Sequence, residues 1–171
     1  PQRIQVEPVY QLGRGAAGDL RVDPVAFVAA FRAAKCIADA HGVQLYFSAA
    51  RLDVLTRRFC QNCGDGFSLT PSGHMSACYQ VCAAHGTLGD LFIFGSRHPQ
   101  GGFHINRERL ERLREHSVDT IPWCQGCFCK RHCAGDCPHQ TLQAAPAGEF
   151  RGHDRCEITR ALVLDQILAR I

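Results

Sequence analysis

The chain contains no stretch of about eighteen consecutive apolar residues, the length a bilayer-spanning helix needs, so no membrane span is expected. No basic segment followed by a long apolar run stands near Pro1, and nothing there resembles a secretion signal. The 19 Lys and Arg are scattered among 16 Asp and Glu rather than gathered into a stripe, which argues against nucleic acid as a partner. There is no G-x-S-x-G, P-loop or G-x-G-x-x-G, so hydrolase and nucleotide-binding readings have no footing. None of the nine histidines belongs to an H-E-x-x-H or comparable helical pair. Internal repeats, low-complexity segments and long linkers are also missing.

Cysteine is what the chain has in excess, 11 in 171 residues. Between Cys124 and Cys137 four of them stand at C-x2-C-x5-C-x3-C, with Cys129 interleaved. Thiols this dense are metal ligands or disulfides. An apolar content of 46% supplies an ordinary core, whereas disulfide staples mainly serve chains too small to build one. Metal-bound thiolates in a reducing cytoplasm are therefore the expectation.

Residues 1 to 52 read as one domain. Ile4 to Val9 alternates like a strand, and Gly13-Arg14-Gly15 with Gly18 forms a loop. Asp23 is placed as an N-cap, Pro24 as the first helical residue and Gly42 as the C-terminal cap. Phe27, Phe31, Ala34 and Ala38 share one helix face, and Val43 to Phe47 is strand-like again. Strand, loop, helix, strand is the order of a parallel crossover unit. One such unit cannot cover both faces of its sheet, and the chain opens at Pro1 without an initiator Met. The expectation is the tail of a larger α/β domain.

Residues 53 to 171 form a loop-rich, cysteine-rich second domain, so the class expected is α+β. Phe67 to Thr70, Pro71-Ser72-Gly73 and His74 to Tyr79 read as a hairpin, and Leu91 to Phe94 as a further strand. Asn106 caps a helix to His116, with Ile105 and Leu110 as a hydrophobic staple. Asp154 and Glu157 open the last helix, whose apolar face is Ala161, Leu164, Leu168 and Ile171, with Ile158 at its margin.

Cys60-x2-Cys63 can present two sulfurs on one turn, Cys78 ends the hairpin, and Cys156 lies in the first turn of the last helix, where the dipole favours a thiolate. With the dense run, these make two four-thiolate sites. Zinc and iron–sulfur clusters both accept such sites. Zinc ribbons carry two separated C-x2-C knuckles per metal, and the x5 and x3 spacings here favour iron–sulfur. Two clusters of roughly −2 each would turn the formal +3 into about −1.

From Cys63 through Gly73 to Cys78 the spacing is C-x9-G-x4-C; C-x2-C-x5-C-x3-C and Cys156 follow. Over about residues 60 to 157 this order resembles the SPASM domain, the C-terminal auxiliary-cluster module of radical S-adenosylmethionine enzymes that mature peptides and proteins. The resemblance implies a first [4Fe-4S] cluster on Cys60, Cys63, Cys78 and Cys137, and a second on Cys124, Cys127, Cys133 and Cys156. Through Cys133 and Cys137 it would join both sites into one folding unit. It also implies that residues 1 to 52 are the terminal βαβ portion of a partial (β/α)6 barrel. Glu7 and Arg14 then fall at the strand edge where such barrels bind S-adenosylmethionine or substrate. The family's radical-generating motif, C-x3-C-x2-C, is absent: Cys78-x3-Cys82 is followed by His85, and Cys129-x3-Cys133 by Asp136.

The function implied is modification of a peptide or protein substrate, with the auxiliary clusters relaying electrons or positioning that substrate, and with an electron-donor protein as a further partner. S-adenosylmethionine would belong to the full-length enzyme. The alternative is a Zn²⁺-binding structural module for a protein or RNA partner, without catalysis. A third reading is a free-standing protein that serves a separate radical-generating subunit. Cys36 is expected in the core, Cys82 and Cys129 outside the ligand sets, and Trp123 and Phe128 as shields over a cluster. His74, His132 and His139 are expected at the surface or behind the ligands.

Overall fold

The computed structural model describes residues 1–9, 22–60, 65–143 and 154–171. It mixes helices with small sheets, an α+β chain. Two compact units interleave along the sequence: Pro1–Thr56, Cys127–Cys133 and Arg151–Ile171 form the first, and Arg57–Gly126 with Ala134–Phe150 the second. No single cut after residue 52 separates them.

The first unit starts with the crossover anticipated from the sequence. Strand β1 (Arg3–Gln5) pairs in parallel with β2 (Gln44–Tyr46), Ile4 opposite Leu45, and helix α1 (Pro24–Ala40) connects them. The Asp23 carboxylate accepts the Val25 and Ala26 N–H groups at 2.9 and 3.3 Å, satisfying donors that a helix start leaves open. Gly42, at φ +65°, ends the helix in the left-handed conformation that a Cβ disfavours. Val28, Phe31 and Ala38 are buried, while Cys36 is exposed rather than in the core. Cys36 lies on the α1 flank opposite the Phe31 stripe.

Helix α6 (Asp154–Leu168) completes this unit, but its buried face differs from the apolar one read from the sequence. Arg155, Ile158, Thr159, Leu162 and Val163 are buried, whereas Leu164, Leu168 and Ile171 are 46, 60 and 96% exposed. Of the polar side chains on this face, Arg155 and Gln166 have partners there, whereas the buried Thr159 hydroxyl has none. Arg155 pairs with Glu7 and lies 4.9 Å over the Phe47 ring, and the Gln166 amide donates to the Ala50 carbonyl and accepts the Leu52 N–H. A forked ion pair between Arg32 and Asp165 ties α1 to α6. The short helix α4 (Lys130–Cys133) joins the unit where Thr56 N–H donates to the Arg131 carbonyl.

The second unit is built on an antiparallel meander: β3 (Ser68–Leu69), β4 (His74–Ser76), β5 (Ile93–Arg97) and β6 (Phe103–Ile105). Gly73 makes the first turn at φ +80°. Leu91 and Phe92 belong to helix α2 (Gly86–Phe92), which runs straight into β5, so the expected strand begins two residues later than read. Helix α3 (Arg107–Glu115) starts at Asn106, whose side chain accepts the Arg109 N–H at 3.0 Å; Ile105 stays 43% exposed. Met75, Ala77, Val81, Phe92, Ile93, Phe94 and Leu113 form the core. A smaller cluster gathers Val118, Ile121, Cys124 and Ala134 with Phe59. Among the described residues no helix is long and apolar enough to cross a membrane.

Candidate metal centre

In the second unit the hairpin delivers Cys78. The ladder register shifts between Met75 and Ser76, and such an irregularity re-aims the residues that follow it. The Ser76 hydroxyl then donates to the Cys78 carbonyl at 2.7 Å and accepts the Cys78 N–H at 3.2 Å, fixing the strand end. Burial raises the Cys78 thiol above its ordinary pKa, the N–H groups of Gln80 and Val81 pull it down, and Cys60 and Cys82 push it up again.

Cys137 repeats this arrangement. Burial raises its thiol, the N–H groups of Gln140 and His139 oppose that, and Asp136 and Cys78 add to it. Each sulfur thus has main-chain donors from residues two and three places on. Such donors stabilise a thiolate, which both metal ligation and cluster ligation require. Cys60 and Cys82 thus bear on the Cys78 thiol, and Cys78 bears on that of Cys137.

The approach to Cys137 is conformationally demanding. Ala134, Gly135 and Asp136 have φ of 58, 80 and 61°, a left-handed run that costs about 1–2 kcal/mol for each non-glycine residue. Asp136 is buried, and its carboxylate accepts the Cys137 N–H at 2.8 Å. The x3 of the C-x3-C spacing is therefore a defined turn. Helix α5 (Pro138–Gln143) follows and carries His139, whose buried ring stands 6.2 Å from that of Phe92 and 3.6 Å, through Nδ1, from the Cys78 sulfur.

The first unit holds a second group. Cys127 and Cys129 have sulfurs 3.4 Å apart, and Cys133 follows on α4, its N–H bonded to the Cys129 carbonyl. Burial opposes ionisation of Cys127, but a hydrogen bond from the Arg160 guanidinium and the Cys129 N–H and thiol together bring its pKa below 9.0. Cys129, buried beside that sulfur, is pushed up to about 12. Arg160 feels Cys127, Cys156 and Cys129 together. Cys156 and Arg160 stand one turn apart on α6, so a helical i, i+4 reading from Cys156 was the available signal for this cation.

Cys124 lies in the second unit, buried in the 3-10 turn Pro122–Cys124. Cys63 and Arg14 lie outside the described residues. Glu7 is engaged in the fold: its carboxylate accepts from Gln5, from the Ser48 N–H at 2.9 Å and from Arg155 at 3.2 Å. Trp123 and Phe128 are 52 and 58% exposed. Cys82 is exposed.

The donor sets suit a thiolate-bound group in kind, being soft sulfurs supplied with N–H or guanidinium donors. Among the described residues no three Cys, His, Asp or Glu side chains converge to hold a metal ion. No protein-family model, curated protein or solved structure matches the chain.

Proposed function

We propose that this chain is the C-terminal region of a radical S-adenosylmethionine enzyme that modifies a peptide or protein, and that its cysteines hold two auxiliary [4Fe-4S] clusters. What supports the reading is the cysteine spacing, together with the influence of Cys60 and Cys82 on the Cys78 thiol and of Cys78 on the Cys137 thiol. In the proposal Cys60, Cys63, Cys78 and Cys137 form the first set. A second cluster is assigned to the set that includes Cys127, Cys133 and Cys156.

When bound, such clusters supply a site that accepts or relays one electron from a substrate radical. The chain's own residues prepare for it. Main-chain N–H groups at Cys78 and Cys137, and Arg160 at Cys127, stabilise sulfur in its anionic form.

The parallel β1–β2 pair supports the barrel half of the proposal. Parallel strands are ordinarily covered on both faces, yet β1 is exposed along its length, and Val25 and Ile37 of α1 are 76 and 64% exposed. A larger sheet with neighbouring helices is the surrounding this pair fits.

Anaerobic reconstitution of the wild type and of Cys78→Ala, Cys137→Ala and Cys129→Ala tests the assignment. The wild type is expected to bind about eight irons, the first two variants about four, and Cys129→Ala the wild-type amount. Full iron content in both Cys78→Ala and Cys137→Ala contradicts the grouping.

A further inference from the structure

We propose that Cys127 and Cys129 form a redox-active dithiol, which closes to an intrachain disulfide by exchange with a small-molecule disulfide of the glutathione class. The inference concerns the metal-free chain and does not rest on the iron–sulfur reading, in which Cys127 is a thiolate ligand and Cys129 has no task. Three observations carry it. The two sulfurs stand 3.4 Å apart, already in contact. The main chain holds them there: the Lys130 N–H donates to the Cys127 carbonyl at 3.2 Å, and the His132 and Cys133 N–H groups both donate to the Cys129 carbonyl at 2.9 Å. Both thiols therefore sit on one hydrogen-bonded turn that runs into α4. Exposure separates their roles, because Cys127 is half-buried whereas Cys129 is 1% exposed.

The chemistry follows from that asymmetry. A dissolved disulfide meets Cys127 first. The Cys127 sulfur attacks, breaks the reagent's S–S bond and expels one thiol, leaving a mixed disulfide. Cys129, placed beside it, then gives up its proton and displaces the second thiol. Two protein thiols and one small disulfide thus become one protein disulfide and two small thiols. Bonded sulfurs lie about 2.05 Å apart, so the side chains must close further. Phe128 between them is 58% exposed and anchors little of the turn in the core. Closing so short a loop removes little chain entropy from the unfolded state, so the bond is readily reduced again and is not a structural staple.

The test takes the 171-residue chain, freed of metal by a chelator under anaerobic conditions, through a series of glutathione redox buffers. Samples are quenched with acid and alkylated, and each cysteine is mapped by mass spectrometry. Wild-type protein should collect as a species two hydrogens lighter, with Cys127 joined to Cys129 and with Cys124, Cys133 and Cys156 alkylated. Dithiothreitol should restore both thiols. Cys129→Ser should stop at the mixed disulfide, with one glutathione on Cys127, and Cys127→Ser should slow modification of Cys129 by about tenfold or more. Where a serine variant does not fold, the wild-type map alone decides. A disulfide from Cys127 to any cysteine other than Cys129, a lasting glutathione on wild-type Cys127, or both thiols still reduced in the most oxidising buffer would overturn the proposal.

Discussion

Arg155 and Glu7, 148 positions apart, meet at 3.2 Å with little exposure, 8 and 20% of their side chains. The pair joins the start of α6 to the segment after β1, and the Phe47 ring lies beneath the guanidinium. Removing the carboxylate takes an ionic partner from a buried guanidinium, which costs more than the intact pair contributes. Glu7→Gln should lower unfolding free energy by about 3 kcal/mol, and adding Arg155→Met should recover part of that loss. Urea unfolding of the three variants measures both changes.

The left-handed turn before Cys137 has a definite side-chain tolerance. At Gly135 an added Cβ would come within 2.9 Å of Ile121 Cδ1, at a φ of +80°. Gly135→Ala should therefore destabilise by more than about 1 kcal/mol. Ala134→Gly, at φ 58°, relieves strain and should be neutral or slightly stabilising. Thermal unfolding of both variants separates backbone strain from a general sensitivity of this loop.

The thiols of the metal-free protein should differ in reactivity. Cys127 is drawn toward the thiolate by Arg160, whereas burial holds Cys78, Cys137 and Cys129 toward the thiol. At about neutral pH, alkylation mapped by mass spectrometry should modify Cys127 before the other three, because the thiolate is the nucleophile. Arg160→Gln should slow labelling at Cys127 and leave Cys78 and Cys137 unchanged.

Acid should destabilise the fold through His116. Burial holds this imidazole below the ordinary 6.5, so the unfolded chain takes up a proton that the folded one refuses. The contribution is fully present above the unfolded pKa of about 6.5 and is lost as pH falls through it toward the folded value. Urea midpoints at about pH 7.5 and about pH 5.5 should differ less in His116→Gln than in the wild type.

The parts of the fold that were readable in the sequence are those fixed by local chemistry. Asp23, Pro24 and Gly42 bracket α1, Gly73 turns the hairpin and Asn106 starts α3, each within a few residues of the element it controls. The face of α6 was not readable, because Arg155, Thr159 and Gln166 occupy it and two of them are matched by partners distant in sequence. Periodicity of apolar residues alone therefore selected Leu164, Leu168 and Ile171. The α2–β5 junction was misread for a similar reason: Leu91 to Phe94 is one apolar run that changes conformation midway, with no Gly or Pro to mark the change.

At the candidate site, the spacing singled out cysteines as candidates but carried nothing of their surroundings. The Cys78–His139 contact, the Arg160 bond to Cys127 and the left-handed turn at Ala134 to Asp136 depend on how separate segments pack. Spacing left Cys129 outside the ligand sets; it is buried with its sulfur 3.4 Å from that of Cys127, a neighbour that spacing did not give it.

The most direct measurement is metal and sulfide analysis of the anaerobically prepared chain, read with its visible and Mössbauer spectra. Two four-iron clusters, about eight irons and eight sulfides per chain with broad visible absorption, are the predicted result. A colourless protein with stoichiometric zinc and no iron would contradict the account.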